Sequence, residues 1–258
     1  MLNAFLICAC IIFCYMSALF FVSIYKKDNS IADIGWGIGF ILIALFTLFY
    51  NGLFLERHLL ITLLVVMWGT RLSLHIWQRN RGKGEDPRYV RWREHWGSSF
   101  LIRSFLQVFM LQGAIMLLIA TPIILVNMSA IPGLGFLDLL GFTIWFVGFF
   151  FESVADYQLY IFLQDPAHRG RIMMRGLWRY SRHPNYFGEV LIWWGIYCIA
   201  LQVPYGILAI ISPITITYIL LFVSGIPLAE KQMSGLAEFA AYKKRTSIFI
   251  PWFSKEME

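Results

Sequence analysis

Two polar pairs recur at helical spacing in the C-terminal half of the chain. Glu152 and Asp156 lie four residues apart, and Asn185 and Glu189 repeat that spacing. Residues four apart share one face of an α-helix, so each pair would present its side chains together. Ionisable residues are costly within apolar runs such as these and commonly serve function. The spacing therefore predicts a polar pocket between two helices, with interhelical hydrogen bonding as the structural alternative.

The segment between the two pairs, residues 164–184, is basic and aromatic. Its candidate binding residues are Arg169, Arg171, Arg175, Trp178, Arg179, Tyr180, Arg182 and His183, followed by Tyr186. Guanidinium groups pair with phosphate oxygens, and aromatic rings can stack on adenine or nicotinamide. This composition fits a nucleotide cofactor; the alternative is an interfacial belt in which arginine reaches lipid headgroups. No Gly-x-Gly-x-x-Gly follows a strand, so no Rossmann domain is predicted.

The elements that must position these residues are long apolar runs. Hydrophobic residues make up 59% of the 258 residues and charged residues 14%, which excludes a soluble globular chain. Seven runs are long enough to cross a hydrocarbon core of about 30 Å. They are, approximately, Asn3–Ile24, Ile34–Tyr50, Leu59–Trp77, Phe105–Val126, Phe136–Tyr160, Tyr186–Gln202 and Gly206–Val223. The predicted fold is all-α, a polytopic membrane helix bundle of about seven transmembrane helices that forms a single integral membrane domain.

The distribution of basic residues predicts the orientation of the bundle. Of 21 lysines and arginines, 19 lie in the tail or in the loops that join spans one to two, three to four and five to six. Positively charged loops stay in the cytoplasm, so the N-terminus should be external and the C-terminus cytoplasmic. We expect contact with membrane lipids and no nucleic-acid binding. No two histidines have metal-ligand spacing, so no metal site is predicted.

The segment from Arg182 to Glu189, Arg-His-Pro-Asn-Tyr-Phe-Gly-Glu, resembles a signature of the steroid 5α-reductase superfamily, specifically its bacterial branch. Three further stretches match that branch: residues 32–37, residues 68–72 with 81–86, and Glu230-Lys231 followed by Tyr242 and residues 245–252. The resemblance implies a membrane-embedded, NADPH-dependent reductase in a bacterial inner membrane. Such an enzyme transfers hydride to a carbon–carbon double bond conjugated to a ketone in a lipophilic, steroid-like substrate.

The resemblance also implies which residues hold NADPH. Four positions match residues that contact the dinucleotide in the steroid reductases: Asp156, Arg171, Asn185 and Glu189. Glu152 lies one helical turn before Asp156, at another cofactor-lining position. Glu230 and Lys231 match a polar pair more loosely, because the steroid reductases carry histidines there. The remaining cofactor candidates are Tyr180, Arg182, His183, Tyr186 and Tyr242. Residues 136–258 are thus expected to be the cofactor-binding half, and the N-terminal half the substrate side.

The catalytic residues of the steroid reductases are not matched. Those enzymes polarise the ketone with a glutamine–glutamate pair in the second span and a tyrosine in the third. Here the second span offers Asp33 and Trp36, which we take as the catalytic candidates, and the third offers Trp68. Asp33 could replace the glutamate if burial keeps its carboxyl group protonated. The alternative is that Asp33 caps the second helix.

A membrane methyltransferase of the isoprenylcysteine or phospholipid type is the closest rival function. Enzymes of that type use S-adenosylmethionine and also carry Arg-His-Pro-x-Tyr-x-Gly, followed by a pair of glutamates. In this chain Lys231 occupies the second of those positions. Five loop arginines also suit phosphates better than a sulfonium cation, which prefers carboxylates and aromatic faces. A non-enzymatic lipid-binding or assembly protein is a third reading.

Overall fold

The computed structural model describes residues 1–254, so residues 255–258 of the predicted cytoplasmic tail lie outside the described part of the chain. The described residues are almost entirely helical and contain no β-sheet; one isolated bridge pairs Ser181 with Ser247. The α-helices are α1 (Leu2–Lys26), α2 (Ile31–Asn51), α3 (Glu56–Asn80), α4 (Pro87–Trp96), α5 (Phe100–Arg103), α6 (Leu111–Ile119), α7 (Thr121–Asn127), α8 (Phe136–Gln164), α9 (Pro184–Ala200), α10 (Ile211–Tyr218), α11 (Ile226–Met233) and α12 (Phe239–Arg245). The all-α prediction is confirmed.

Six stretches of the described chain are long and apolar enough to cross a membrane. They are α1, α2, α3, Pro87–Ile119, α8 and Gly206–Met233. The predicted sixth span corresponds to α9, whose 17 residues rise about 26 Å, slightly less than the hydrocarbon thickness. The prediction of about seven membrane helices is therefore close, and the protein is an integral, multi-pass membrane protein whose apolar helices contact lipid.

The fourth candidate span begins at Pro87, well before the predicted start at Phe105. Its first part, α4, is rich in arginine and tryptophan, and this composition indicates a loop when the sequence is considered alone. A 3₁₀ turn, the short helix α5 and a π-helical stretch, Ser104–Met110, then carry the chain into α6. Helix α4 was not predicted from the sequence, and it is important for the candidate site because its side chains contact Asp33.

The chain divides into two compact units. The first contains Met1–Asp138 and Ile199–Ser212, and the second contains Leu139–Cys198 and the chain from Pro213 onward. The division at Asp138 lies near the predicted boundary, at residue 136, between the substrate side and the cofactor-binding half. The predicted single integral domain thus contains two separately packed parts.

In the first unit, α2 and α3 cross at a pair of glycines. A Cβ atom on Gly37 would collide with the carbonyl oxygen of Gly69, so the two backbones are in direct contact there. Small residues allow this close approach between helices in a membrane. At the start of α3, the buried Arg57 forms a two-pronged ion pair with Asp138, at 2.8 and 2.9 Å. Arg57, one of the two basic residues outside the loops predicted to be cytoplasmic, is therefore structural.

In the second unit, α8 and α9 cross at two pairs of glycines. Gly141 and Gly148 on α8 are seven residues apart, as are Gly188 and Gly195 on α9, so each set lies on one helix face. A Cβ atom on Gly188 would lie 2.5 Å from both the Glu152 nitrogen and the Gly148 oxygen. The two backbones therefore touch close to the polar residues of both helices. This crossing brings the two predicted polar faces together.

Candidate functional site

The polar faces of α8 and α9 are joined by a hydrogen bond between Asn185 and Asp156, within the second unit. The Asn185 amide nitrogen donates to Asp156 Oδ1 at 3.0 Å. Because a carboxylate only accepts, this bond fixes the orientation of the amide. The Asn185 oxygen is buried and has no hydrogen-bond partner among the described residues. A buried acceptor without a partner is rare in a native structure, and it marks Asn185 as a residue that could receive a ligand donor.

The other members of the two polar pairs lie on the same faces. Glu152 is buried on α8, one helical turn before Asp156. Glu189 is half-buried on α9, one turn beyond Asn185. The spacing of four residues therefore puts each pair on one face of its helix, and the two helices meet at these faces.

Arg182 was expected to contact a phosphate, but its guanidinium group bonds to other residues of the protein. Its Nε and Nη2 atoms donate to Glu230 Oε1 at 2.8 and 2.7 Å, and its Nη1 donates to the Thr246 carbonyl at 2.8 Å. Only 6% of the side chain is exposed. Every guanidinium nitrogen is thus engaged within the protein. Arg182 joins the start of α9 to the C-terminal segment, and its guanidinium nitrogens are bonded within the protein instead of being available for the phosphate contact expected from the sequence.

Tyr242 is also structural rather than directed toward a cofactor. Its buried hydroxyl donates to the Trp178 carbonyl at 2.6 Å and lies 3.3 Å from the Ser181 carbonyl. Nearby, the Arg182 backbone N–H donates to the Ser247 carbonyl at 2.8 Å. These bonds hold the loop before α9 against α12 and the chain that follows it.

Glu230 is surrounded by positive or polarisable groups. Besides Arg182, it has the Lys243 ammonium at 3.5 Å and His183 Nε2 at 3.7 Å. Its charge is therefore already balanced within the second unit. Lys231, the next residue on α11, is exposed. The two members of the predicted polar pair thus occupy different environments.

His183 is a buried ring stacked on Tyr186. The ring centroids are 5.5 Å apart and the planes differ by 11°. Burial, the largest cause, lowers the pKa of His183 to about 4, although Glu230 acts in the opposite direction. The imidazole is therefore neutral at neutral pH, and it supports Tyr186 at the start of α9.

Four loop arginines remain at the surface: Arg169, Arg171, Arg175 and Arg179. The side chain of Arg171 is 60% exposed and pairs with Glu238 at 3.1 Å. Hydrogen bonds from the Ile172 N–H and from Arg171 lower the pKa of Glu238. An exposed pair of this kind is weak and exchanges readily. These arginines, together with the exposed Tyr180, remain available for a phosphate-bearing ligand.

Asp33 anchors a second polar cluster, in the first unit. Its Oδ2 accepts from Arg88 Nη2 at 2.7 Å, and its Oδ1 accepts from the Tyr89 hydroxyl at 2.8 Å. Tyr89 is buried, and Gln112 Nε2 lies 3.5 Å from its hydroxyl. The helix-capping alternative is not observed, because the Asp33 side chain bonds to α4 while Ser30 occupies the N-cap of α2.

Both oxygens of Asp33 are engaged as acceptors, which differs from the donating role expected from the sequence. Oδ2 accepts from Arg88 Nη2 at 2.7 Å and Oδ1 accepts from the Tyr89 hydroxyl. The group that carries a proton in this cluster is the Tyr89 phenol. The start of α4 has a signal in the sequence, because an aspartate followed by proline, here Asp86 and Pro87, is typical of a helix N-terminus. In the structure the Asp86 side chain accepts from the Arg88 N–H at 2.8 Å.

Trp36 begins an aromatic ladder on the same helix as Asp33. Its ring meets Phe40 edge-to-face at 5.5 Å, and Phe40 meets the buried Trp68 at 5.4 Å. Asp33, Trp36 and Phe40 are three and four residues apart, so they share one face of α2. This face combines a charged end with an aromatic wall, as a lipophilic molecule with one polar group would require. Trp36 itself is half-buried.

Sequence comparisons agree with the membrane architecture. The profile of the family described as Protein of unknown function (DUF1295) matches residues 19–246, which is most of the chain. An uncharacterised protein from Schizosaccharomyces pombe is 26% identical over 224 residues, covering 76% of this chain. The chain spans 64% of the length of that relative, and the similarity extends to a eukaryote. No solved structure gives a significant match.

Proposed function

The chain belongs to the DUF1295 family of the steroid 5α-reductase-like superfamily, and from that premise we propose that it is an NADPH-dependent reductase embedded in the membrane. The substrate class is a lipophilic, steroid-like molecule with a carbon–carbon double bond conjugated to a ketone. The observation that carries the proposal is Asn185, whose nitrogen is committed to Asp156 while its buried oxygen has no partner among the described residues.

The second unit supplies groups that fit a dinucleotide. The Asn185 oxygen can accept from a carboxamide N–H or a ribose hydroxyl, and Asp156 holds the amide in that orientation. Glu189 shares the face of Asn185 and can accept from the same type of donor. The exposed Arg171, with its neighbouring loop arginines, suits the phosphates. NADPH, when bound, supplies the hydride.

The first unit supplies groups that fit the carbonyl side of the reaction. Hydride addition to the β carbon of an enone places negative charge on the carbonyl oxygen. The Tyr89 hydroxyl donates its one proton to Asp33 in this structure, and by rotating about its C–O bond it could donate that proton to the carbonyl oxygen instead, while Asp33 and Arg88 hold the phenol in place. Proton transfer from Tyr89 to the oxygen gives the enol. The enol becomes the saturated ketone when water delivers a proton to the α carbon and the enol O–H proton returns to the phenolate. Trp36 and the aromatic ladder suit the apolar body of the substrate.

The S-adenosylmethionine-dependent methyltransferase remains the alternative function. A sulfonium cation is best held by carboxylates that have no other cation nearby. Glu230 does not meet that requirement, because Arg182 and Lys243 already neutralise it. The environment of Glu230 therefore favours the reductase.

Binding measurements on the detergent-purified chain distinguish these two enzyme classes. NADPH, NADH and S-adenosylmethionine are titrated separately, and the melting temperature is followed at each concentration. If the protein is a reductase, NADPH should raise the melting temperature, and NADH should raise it less, because NADH lacks the additional phosphate that the arginines can bind. A rise in melting temperature with S-adenosylmethionine alone would contradict the reductase proposal and support the methyltransferase. A failure of all three to bind would favour a non-enzymatic lipid-binding protein.

A further inference from the structure

A basic cleft opens beside the C-terminal helix α12, within the second unit. Its volume is about 470 Å³, and it lies between the end of α12 and the chain that follows. The basic residues of its lining are Arg182, Lys243, Lys244 and Arg245, and its aromatic residues are Trp252 and Phe253. No carboxylate lines it among the described residues. A cleft of this charge attracts an anion.

Two of the four cations, Lys244 and Arg245, have no ion-pair partner among the described residues. Arg182 is saturated by Glu230 and backbone carbonyls, and Lys243 lies 3.5 Å from Glu230. Lys244 is exposed and has no ion-pair partner among the described residues. Arg245 is half-buried; its Nη2 donates weakly to the Met174 sulfur at 3.7 Å, and its Nε atom is buried without a hydrogen-bond partner in the described chain. A buried guanidinium N–H without a partner is costly, so this group points to an anionic acceptor.

The rim of the cleft is apolar and exposed. Trp252 is 69% exposed and Phe253 78%, and Ile248 and Ile250 lie exposed on the same segment. Large exposed apolar side chains next to cations are typical of the membrane–water interface. The cleft also follows closely on a membrane span, because α12 begins at Phe239 and the candidate span Gly206–Met233 ends just before it. A soluble phosphate compound would gain nothing from this apolar rim.

We propose that this cleft binds the phosphate headgroup of an anionic phospholipid, with Lys244 and Arg245 on the phosphate and Trp252 and Phe253 at the level of the glycerol and upper acyl chain. The predicted orientation of the chain places it on the cytoplasmic leaflet, where anionic lipid is recognised by clustered basic residues. The lining of the cleft includes neither Asn185 nor Asp33, and the proposal does not depend on the proposed reductase activity.

The test uses the whole purified chain and two lipids, phosphatidylglycerol and phosphatidylcholine. Native mass spectrometry from mixed micelles counts the lipid molecules that stay bound to the protein. We expect preferential retention of phosphatidylglycerol, and an affinity about tenfold or more lower in the double variant Lys244→Gln/Arg245→Gln, since each cation near a lipid phosphate contributes several-fold. The matched control Lys26→Gln/Lys27→Gln removes two exposed cations elsewhere and should change the affinity less than about twofold.

Further variants and competing anions separate a loss of lipid binding from a loss of folding and from binding of another ligand. Lys244→Gln alone removes a fully exposed cation and should weaken binding several-fold even if the double variant folds poorly. Trp252→Phe should remove part of the fluorescence quenching caused by brominated phosphatidylglycerol. Equal retention of both lipids, or unchanged affinity in Lys244→Gln, would overturn the proposal. Displacement of phosphatidylglycerol by inorganic phosphate, with no effect of chloride at equal ionic strength, would assign the cleft to free phosphate, and displacement by NADPH would assign it to the cofactor.

Discussion

The Tyr89 hydroxyl donates a 2.8 Å hydrogen bond to Asp33, although the two residues are 56 positions apart in the chain. The same carboxylate is paired with Arg88 at 2.7 Å. This cluster joins α2 to α4 and is the group in the first unit best suited to polarise a carbonyl. The donor of this cluster is a phenol, as in the steroid reductases that the sequence resembles. In those enzymes the tyrosine belongs to the third span, whereas Tyr89 belongs to α4.

Tyr89→Phe should reduce the turnover of an enone substrate by a factor of about a hundred, because a positioned general acid contributes roughly that much. The affinity for NADPH should not change, since Tyr89 is not among the residues proposed to hold it. Single-turnover oxidation of NADPH measures the first quantity, and a binding titration measures the second.

Asp33→Asn separates the two possible roles of that cluster. If Asp33 acts as a carboxylate that orients Tyr89, the variant loses the Arg88 ion pair and its turnover falls, and Tyr89→Phe/Asp33→Asn falls little further. If Asp33 is itself the acid, as the sequence suggested, Tyr89→Phe should remain active while Asp33→Asn does not. Normal turnover in both variants would exclude the cluster from catalysis.

Gly188→Ala should destabilise the protein, because a Cβ atom there would lie 2.5 Å from the backbone of α8. Overpacking of this kind costs about 1 to 3 kcal/mol, and it would push the α8 and α9 polar faces apart. The matched control is Gly235→Ala, where nothing lies within 4 Å. Thermal unfolding in detergent compares the two variants. Equal melting temperatures would show that α8 and α9 do not touch at Gly188.

The stability of the fold should fall below neutral pH through His183. Its folded pKa of about 4 lies below the ordinary value of 6.5, so protonation favours the unfolded chain. The stabilisation is complete above pH 6.5 and is lost as the pH falls from 6.5 toward 4, by up to about 3 kcal/mol. In His183→Gln this pH dependence should be reduced, whereas the exposed His95→Gln should retain it. Identical pH profiles for all three proteins would contradict the burial of the imidazole.

The orientation of the chain follows from its charge distribution and is open to a direct test. A reporter fused after Glu258 should be cytoplasmic, and one placed before Met1 should be external, because 19 of 21 basic residues favour that arrangement. An external C-terminal reporter would require the number of spans to be revised. It would also move the basic cleft to the opposite leaflet.

The parts of the site that sequence predicts well are those set by helical period. Glu152 and Asp156, like Asn185 and Glu189, share a face because residues four apart always do, and the glycines seven apart indicate where two such faces can approach. The meeting of Asn185 with Asp156 was therefore expected. The six candidate spans follow from apolar length in the same way.

The parts that sequence did not predict depend on which charged groups pair over long chain separations. The composition of the loop cannot show that Arg182 is bound to Glu230, which is 48 positions away, while Arg171 stays at the surface. Arg57 is a second example, because its position outside the basic loops does not show that it is buried against Asp138, 81 positions away. Tyr89 was missed because the basic composition of α4 indicated a loop.

The affinity of Asn185→Ala for NADPH tests the central claim most directly. Isothermal titration should show an affinity weaker than that of the unmodified chain by about 1 to 3 kcal/mol, because a buried acceptor for the cofactor is removed. The control Asn51→Ala removes a half-buried amide that donates only to the Ser129 carbonyl, and it should bind NADPH normally. Unchanged NADPH affinity in Asn185→Ala, or an equal loss in both variants, would contradict the assignment of the α8–α9 polar face to the cofactor.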